Sequence, residues 1–288
     1  MSQALQHQTG DGVPAAPAPV AGRDRRGARW RGRVATWVVK LAGVLVTLSA
    51  LELASRTGAL PRQWFPPVTE MYAELAGLVV GLPLWVEVGR TLGGWAAGLL
   101  LATVLAVPAG MLLGASALAF RLVRVVIEFL RPVPSVALIP LAVLVLGTGL
   151  ETKVFLVAFA TFWPLLFQTI YGVQDVDPVA TDTARSYGLG ALARFGEVTL
   201  PSAAPYIATG LRIASAIALV LAVTAELVIG APGLGQAIIV AQSGGAITLM
   251  YALIIATGLL GWALNAVFSA AERRLLHWHP AQRREAGL

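Results

Sequence analysis

The sequence contains no cysteine, and its three histidines, His7, His277 and His279, all stand near the ends of the chain. The absence of cysteine excludes a disulfide framework, a thiolate metal site and a thiol nucleophile. Histidines confined to the termini make a histidine-based catalytic or metal site an unfavourable interpretation. We therefore predict no catalytic residues, no metal ligands and no enzyme activity in this chain.

Charge is also scarce. Only 12% of the 288 residues are charged and 57% are hydrophobic, whereas soluble domains carry about 25% charged residues. The composition predicts an all-α, polytopic transmembrane helical bundle with about six spans, for which an apolar run of about 20 residues suffices. The predicted spans cover residues 34–54, 89–115, 118–147, 152–173, 205–229 and 247–270.

The predicted domain organisation follows from where the charges fall. Residues 1–33, which are rich in Gly, Pro and Ala before a run of arginines, are predicted to be a disordered basic tail. Residues 34–272 form the transmembrane domain and 273–288 a second tail. With six spans, most of the 21 Lys and Arg lie on the side of the termini, and only Arg56, Arg62, Arg90 and Lys153 are counted on the other. The excess of positive charge predicts cytoplasmic termini, so the Arg run is interpreted as a membrane anchor rather than a nucleic-acid patch.

The second predicted span carries small residues at every fourth position. This spacing forms a ridge along one helix face and predicts close packing against a neighbouring helix. The ridge consists of Gly94, Gly98, Ala102, Ala106, Gly110 and Gly114.

The third predicted span is interrupted by the sequence Arg131-Pro132-Val133-Pro134. An ionisable residue within a membrane usually faces a cavity or a partner, and broken helices often build transport sites. We therefore take Arg131 as a candidate for attracting an anion. The alternative is structural, with Arg131 paired to Glu128 or Glu226. The candidate pathway residues are Arg131, Ser135, Gln168 and Glu226, of which Gln168 could equally be a helix-contact residue.

Residues 177–201 are a polar stretch between two apolar spans. Asp177 is a favourable N-cap before Pro178, and Gly188 permits a bend. Pro201 is expected to end the second half. The pattern predicts two short helices in an L, held outside the membrane as a docking elbow for a partner protein.

No ATP site is evident. A P-loop requires Gly-Lys followed by Ser or Thr, and the two lysines, Lys40 and Lys153, follow Val39 and Thr152. We expect no cofactor in this chain. If transport is driven by ATP, a separate subunit must use ATP and Mg²⁺.

The elbow resembles the EAA loop of membrane subunits of bacterial ATP-binding-cassette (ABC) importers. That pattern is Glu-Ala-Ala, three residues, Gly, nine residues and Ile-x-Leu-Pro. The matching positions here are Asp182, Thr183, Ala184, Gly188, Val198, Leu200 and Pro201, with Arg185 directly after the first three. The resemblance implies a type I importer permease fold, with the elbow acting as a cytoplasmic coupling helix that contacts the ATPase. Asp for Glu and Thr for Ala are departures that concern the details of docking.

Within this family the chain is similar to the nitrate/sulfonate/taurine-type permeases. The residues that carry this similarity are 65–75, 131–147, 184–188 and 232–235. The resemblance implies import of a small anion across the bacterial inner membrane by a permease homodimer. Its implied partners are two ATPase subunits and an extracytoplasmic binding protein, with membrane lipids around it and no nucleic acid. Similar permeases import riboflavin or pyrimidine-type nutrients.

A different class, an ion-coupled secondary transporter, would normally have more intramembrane carboxylates than Glu226 and a repeat in its hydropathy. Neither feature is evident.

Overall fold

The computed structural model describes the backbone of residues 25–276 and the side chains from Val38 onward. Secondary structure in this part of the chain is entirely helical, as predicted. Its helices are α1 (Arg25–Arg56), α2 (Val68–Val80), α3 (Leu82–Ala115), α4 (Ala117–Leu130), α5 (Ile139–Leu146), α6 (Leu150–Gln174), α7 (Pro178–Ser186), α8 (Ala191–Arg194), α9 (Leu200–Ile229), α10 (Leu234–Ser243) and α11 (Ile247–Leu275).

Contacts divide the chain into two units, and the boundary in the sequence falls between Leu53 and Ala54. Helix α1 begins at Arg25, so residues 25–33 are helical where a tail was predicted. The predictions for residues 1–24 and 277–288 lie outside the described residues.

Among residues 25–276, five helical segments are long and apolar enough to cross a membrane, and a bent pair of helices, counted as one span, is a sixth. This agrees with the prediction of about six spans, although α3 begins at Leu82 rather than at residue 89. The five segments are Val38–Arg56, Leu82–Ala115, Leu150–Gln174, Ala191–Ile229 and Ile247–Leu275.

The small-residue ridge of α3 packs directly against α6, which confirms the predicted close approach. A Cβ atom placed on Gly98 would lie 2.5 Å from Val157 Cγ1, and one on Gly114 would lie 2.7 Å from Val173 Cβ. These distances are too short for real Cβ atoms, so only glycine permits the observed separation of the two helices.

The same contacts give the direction of the two helices. Val157 follows Gly98 by the same number of positions as Val173 follows Gly114, so α3 and α6 run parallel. Two parallel spans require a crossing in the opposite direction between them. Helices α4 and α5, which occupy this part of the chain, therefore make that crossing together.

Helices α4 and α5 meet at a bend of 78°. The break contains Pro132 and Pro134, which lack the N–H groups that a continuous helix would use. After a 3₁₀ turn over Ser135–Leu138, α5 packs through Ile139 and Ala142 on α6 and α9. The sequence correctly predicted an interruption here.

The elbow differs from its prediction in the second half. Pro201 does not end a helix, because the chain is helical from Ala191 to Ile229. A π turn over Phe195–Thr199 precedes the proline, and Leu200 N–H bonds to Phe195 O within it. The π turn widens the helix just before Pro201, so the helix accommodates a residue that has no N–H and whose ring crowds the preceding turn.

Candidate functional site

The first half of the elbow is a short, well-capped helix. The side chain of Asp177 accepts a hydrogen bond of 2.8 Å from the N–H of Val179, as predicted for an N-cap. Helix α7 ends at Ser186, and Gly188 has φ of +79°. Glycine is favoured at this position because that conformation strains other residues.

The elbow exposes apolar side chains together with charged ones. Tyr187 is 81% exposed and Leu192 is 85% exposed. Asp182 and Arg185 form an exposed ion pair of 3.3 Å. Large apolar side chains exposed on a short helical elbow are typical of a docking surface.

The two halves of the elbow are joined by hydrogen bonds. The N–H of Leu189 bonds to Ala184 O at 3.0 Å, and Arg194 donates to Leu189 O at 3.4 Å. Ala184 itself is buried, whereas Asp182, Thr183 and Arg185 are exposed. Val198, Leu200 and Pro201 lie at the end of the elbow, in the π turn and at the beginning of α9.

Of the predicted pathway residues, Arg131 and Ser135 lie together at the break between α4 and α5. The guanidinium of Arg131 lies 4.6 Å from the ring centroid of Phe167. Phe167 is about two turns before α6 ends at Gln174, so the break is nearer to the elbow than to the other end of α6. Gln168 lies at the contact between α6 and Gly210 of α9, which agrees with its interpretation as a helix-contact residue.

The structural pairings considered for Arg131 are not the ones observed. Glu128 forms its ion pair with Arg124 at 2.6 Å, and Glu226 forms its ion pair with Lys153 at the same distance. Glu226 is fully buried and lies in the last turn of α9, beside the first turn of α6 and away from the break, which is nearer to the elbow.

Lys153 was counted among the charges outside the membrane, and that assignment is wrong. It is 2% exposed, in the first turn of α6, and its Nζ donates to Glu226 Oε1. Nζ also donates to the carbonyl oxygens of Pro232, at 2.9 Å, and of Arg90, at 3.4 Å. All three ammonium protons therefore have acceptors.

Both oxygens of the Glu226 carboxylate likewise accept hydrogen bonds. Besides Lys153, it accepts hydrogen bonds from the hydroxyl of Thr91 at 3.0 Å and from the N–H of Gly235 at 2.9 Å. Thr91 in turn accepts the N–H of Leu234 at 2.9 Å. A buried ion pair is stable when further hydrogen bonds satisfy both partners, and this arrangement meets that condition.

Glycines make room for this ion pair, which we call the Lys153–Glu226 cluster. A Cβ atom on Gly94 would run into the Lys153 stem, and one on Gly233 would run into the Glu226 carboxylate. One on Gly235 would meet Val223 O. The two glycines of Pro232-Gly233-Leu234-Gly235 thus let the backbone lie directly against the buried ion pair. The only signal in the sequence was one lysine and one glutamate within predicted apolar regions.

No group of His, Asp and Glu side chains within residues 38–276 is arranged to hold a metal ion. The residues described above therefore offer a docking elbow, a broken span with a cation, and a buried ion pair.

Comparison with known proteins agrees with this architecture. Residues 106–277 match the family described as the binding-protein-dependent transport system inner membrane component. The chain belongs to this family. This permease is therefore an ABC importer membrane subunit, and the resemblance drawn from the elbow is confirmed.

Relatives of the permease include proteins named for the transport of nitrate, sulfonates or taurine. It is 31% identical to the nitrate import permease NrtB of Leptolyngbya laminosa, over 67% of this chain and 69% of that one. It is 35% identical to SsuC of Escherichia coli, named for aliphatic sulfonates, over 56% and 61%. It is 29% identical to the taurine permease TauC of Escherichia coli, over 87% and 94%. The predicted nitrate/sulfonate/taurine type is confirmed.

The fold is also found in a solved transporter. The inward-facing MetNI methionine ABC transporter has a chain that matches with a TM-score of 0.59 and 20% identity, covering 67% of the permease and 96% of that chain. This likeness confirms the predicted fold class.

Proposed function

We propose that the permease forms the solute pathway of an ATP-driven importer and is coupled to a separate ATPase subunit through its elbow. The observation that carries this proposal is the exposed surface of α7 and α8, with Tyr187 and Leu192 almost fully exposed between two membrane spans. It is supported by the matched spacing of Asp182, Thr183, Ala184, Gly188, Val198, Leu200 and Pro201, and Arg185, directly after the first three, is proposed to take part in the same coupling.

The proposed solute is a small anion such as a sulfonate, taurine or nitrate. The names of the relatives support this class. Arg131 supports it as well, since a guanidinium presents several N–H donors to an oxyanion and the face of Phe167 holds it in place. Arg131 and Ser135 are proposed to line the pathway, with Gln168 nearby and Glu226 removed from it.

The proposed assembly has two copies of the permease, two ATPase subunits that use ATP and Mg²⁺, and an extracytoplasmic binding protein. In the inner membrane, both termini and the elbow of the permease lie in the cytoplasm. The excess of Lys and Arg on that side supports this orientation. It does not depend on Lys153, which is now placed inside the bundle.

Co-purification tests the proposal. The tagged permease should retain a P-loop ATPase encoded by the same organism, and Gly188→Leu should release it. Leucine is strained at φ of +79°, so the turn between α7 and α8 should be distorted. Gly190→Ala is the matched control, because Gly190 has an ordinary φ of −64°.

Uptake by the isolated permease without ATP would contradict the proposal and support an ion-coupled secondary transporter. Retention of the ATPase by Gly188→Leu at the parent level would contradict docking through the elbow.

A further inference from the structure

Helices α6 and α9 are fastened to each other at both ends. At one end the segment that contains α7 and α8 connects Gln174 of α6 to Leu200 of α9. At the other end Lys153, in the first turn of α6, is paired with Glu226, in the last turn of α9. Glycine contacts hold the two helices closely together between these ends, with Gly172 against Tyr206 and Ala203. The pair of helices can therefore move as one body.

The same ion pair fastens α10. Lys153 donates to Pro232 O, and Glu226 accepts the N–H of Gly235 in the first turn of α10. Thr91 of α3 bonds to both Glu226 and the N–H of Leu234. One cluster of hydrogen bonds thus joins the beginning of α10 to three membrane helices.

Detaching α10 would leave charged groups without partners. Lys153 is 2% exposed and Glu226 is fully buried, so water cannot replace a lost partner without opening the bundle. The side of α10 that carries Leu234 and Ile238 is also buried against apolar residues. Motion that separates α10 from α6 and α9 is consequently the unfavourable motion in this part of the molecule.

We propose that Lys153 and Glu226 are positioning residues that make α10 a rigid extension of α3, α6 and α9. Displacement of the elbow then moves α10 at the far end as part of the same body, and α10 does not open as a separate gate. The proposal rests on the proposed function, in which an ATPase displaces the elbow.

Distances between spin labels test this proposal in the assembled permease–ATPase complex in nanodiscs. The parent chain has no cysteine, so Leu150→Cys on α6 and Gln242→Cys on α10 can be labelled in the permease before the ATPase is added, and an excess of unlabelled permease leaves one labelled copy in each assembly. We expect the same distance distribution in the nucleotide-free and the ATP–vanadate-trapped states. In Lys153→Met/Glu226→Gln, which keeps the size of both side chains, we expect the distribution to broaden.

The matched control is Arg124→Gln/Glu128→Gln. That ion pair also measures 2.6 Å but is 61% and 60% exposed, and its removal should leave the α6–α10 distribution unchanged. A distance that differs between the two states of the parent complex would overturn the proposal, as would a double variant with an unaltered distribution.

A second measurement tests the proposal if Lys153→Met/Glu226→Gln does not fold. Thr91 Oγ1 lies 2.9 Å from Leu234 N, so Thr91→Cys/Leu234→Cys places a cysteine of α3 beside one of α10, and mass spectrometry identifies the oxidised fraction in which the two are bridged. If α10 moves with the bundle, the oxidised and reduced complexes hydrolyse ATP at the same rate. A lower rate on oxidation, restored by reductant, would overturn the proposal. Failure of the ATPase to associate with the parent permease contradicts the proposed function instead.

Discussion

Arg131 is the side chain on which the proposed anion selectivity depends. It stands at the end of α4, next to two prolines, and lies over the ring of Phe167 on α6. Its position at a break is readable from the sequence, whereas its contact with Phe167 is not, because 36 positions in the chain separate the two residues. The ring holds the guanidinium and explains why a neighbouring acid is not needed to do so.

Replacement of Arg131 should weaken anion uptake. A hydrogen bond to a charged group contributes about 1.5–3 kcal/mol, so Arg131→Gln should raise the apparent KM roughly tenfold or more for taurine, ethanesulfonate or nitrate. Arg131→Lys should be intermediate, because lysine keeps the charge but lacks the planar group.

Uptake of radiolabelled solute into proteoliposomes that contain the complete transporter measures this effect. Arg121→Gln, on the same helix, is the control. Normal uptake and affinity in Arg131→Gln would remove Arg131 from the pathway.

The Lys153–Glu226 cluster could not be predicted at the residue scale. The two residues are 73 positions apart, and a lysine near the beginning of a span ordinarily extends to the surface. Only the packing of α3 against α6, with Gly94 beside the lysine stem, shows that Lys153 instead turns inward.

Breaking the pair on one side should destabilise the permease more than removing both charges. Lys153→Met leaves Glu226 buried without its cation, which costs about 3–5 kcal/mol. Lys153→Met/Glu226→Gln should be closer to the parent, because it leaves no buried charge without a partner.

Thermal unfolding of the purified permease in one detergent compares the three proteins. Equal transition temperatures for the single and double variants would show that the charge of Glu226 is not buried as described.

At the scale of the elements, a structural feature could be predicted when the residues that determine it are close together in the sequence. The α3 ridge and the cap of α7 were predicted correctly, because each is fixed by residues close in sequence. Pro201 was interpreted wrongly, because the preceding π turn that accommodates it has no comparable signature. The direction of α6 relative to α3 is known only from the contacts of Gly98 and Gly114, which join residues far apart in the sequence.

Two glycines of α3 should respond oppositely to alanine. At Gly98 the added Cβ meets Val157 and the carbonyl of Val154, so Gly98→Ala should destabilise the permease by about 1–3 kcal/mol. At Gly93 nothing lies within 4 Å, so Gly93→Ala should be neutral or stabilise α3 by up to about 1 kcal/mol.

The same unfolding assay measures both variants. A Gly98→Ala protein as stable as Gly93→Ala would contradict the close approach of α3 and α6.

At the scale of the whole molecule, the proposed orientation depends on a single crossing. Helix α6 runs from the end of the helical bundle that contains the Lys153–Glu226 cluster to the end that contains the elbow. The elbow and α10 must therefore lie on opposite sides of the membrane. Composition was enough to predict a membrane bundle, and the parallel course of α3 and α6 adds the reason for the sixth crossing.

A membrane-impermeant thiol reagent should distinguish the two sides. Leu192→Cys in the elbow should react only when the cytoplasmic side is accessible, and Gln242→Cys in α10 only from the opposite side. Added ATPase should protect Leu192→Cys and leave Gln242→Cys unaffected. Labelling of both positions from one side would contradict the topology.

The regular spacing of the α3 ridge does not by itself determine the register of α3 against α6. Small residues at every fourth position offer α6 nearly identical sites of close approach. If one helix slid past the other by a turn, about 5.4 Å, α6 would again face small residues. The ridge alone is therefore degenerate in register. The Lys153–Glu226 cluster removes the degeneracy through its contacts to α3: Lys153 donates to Arg90 O and Glu226 accepts from the hydroxyl of Thr91, and a one-turn slip of α3 would break both hydrogen bonds. A single buried polar contact that selects one register among several is a known device in coiled coils, and here it sets the alignment of two membrane spans.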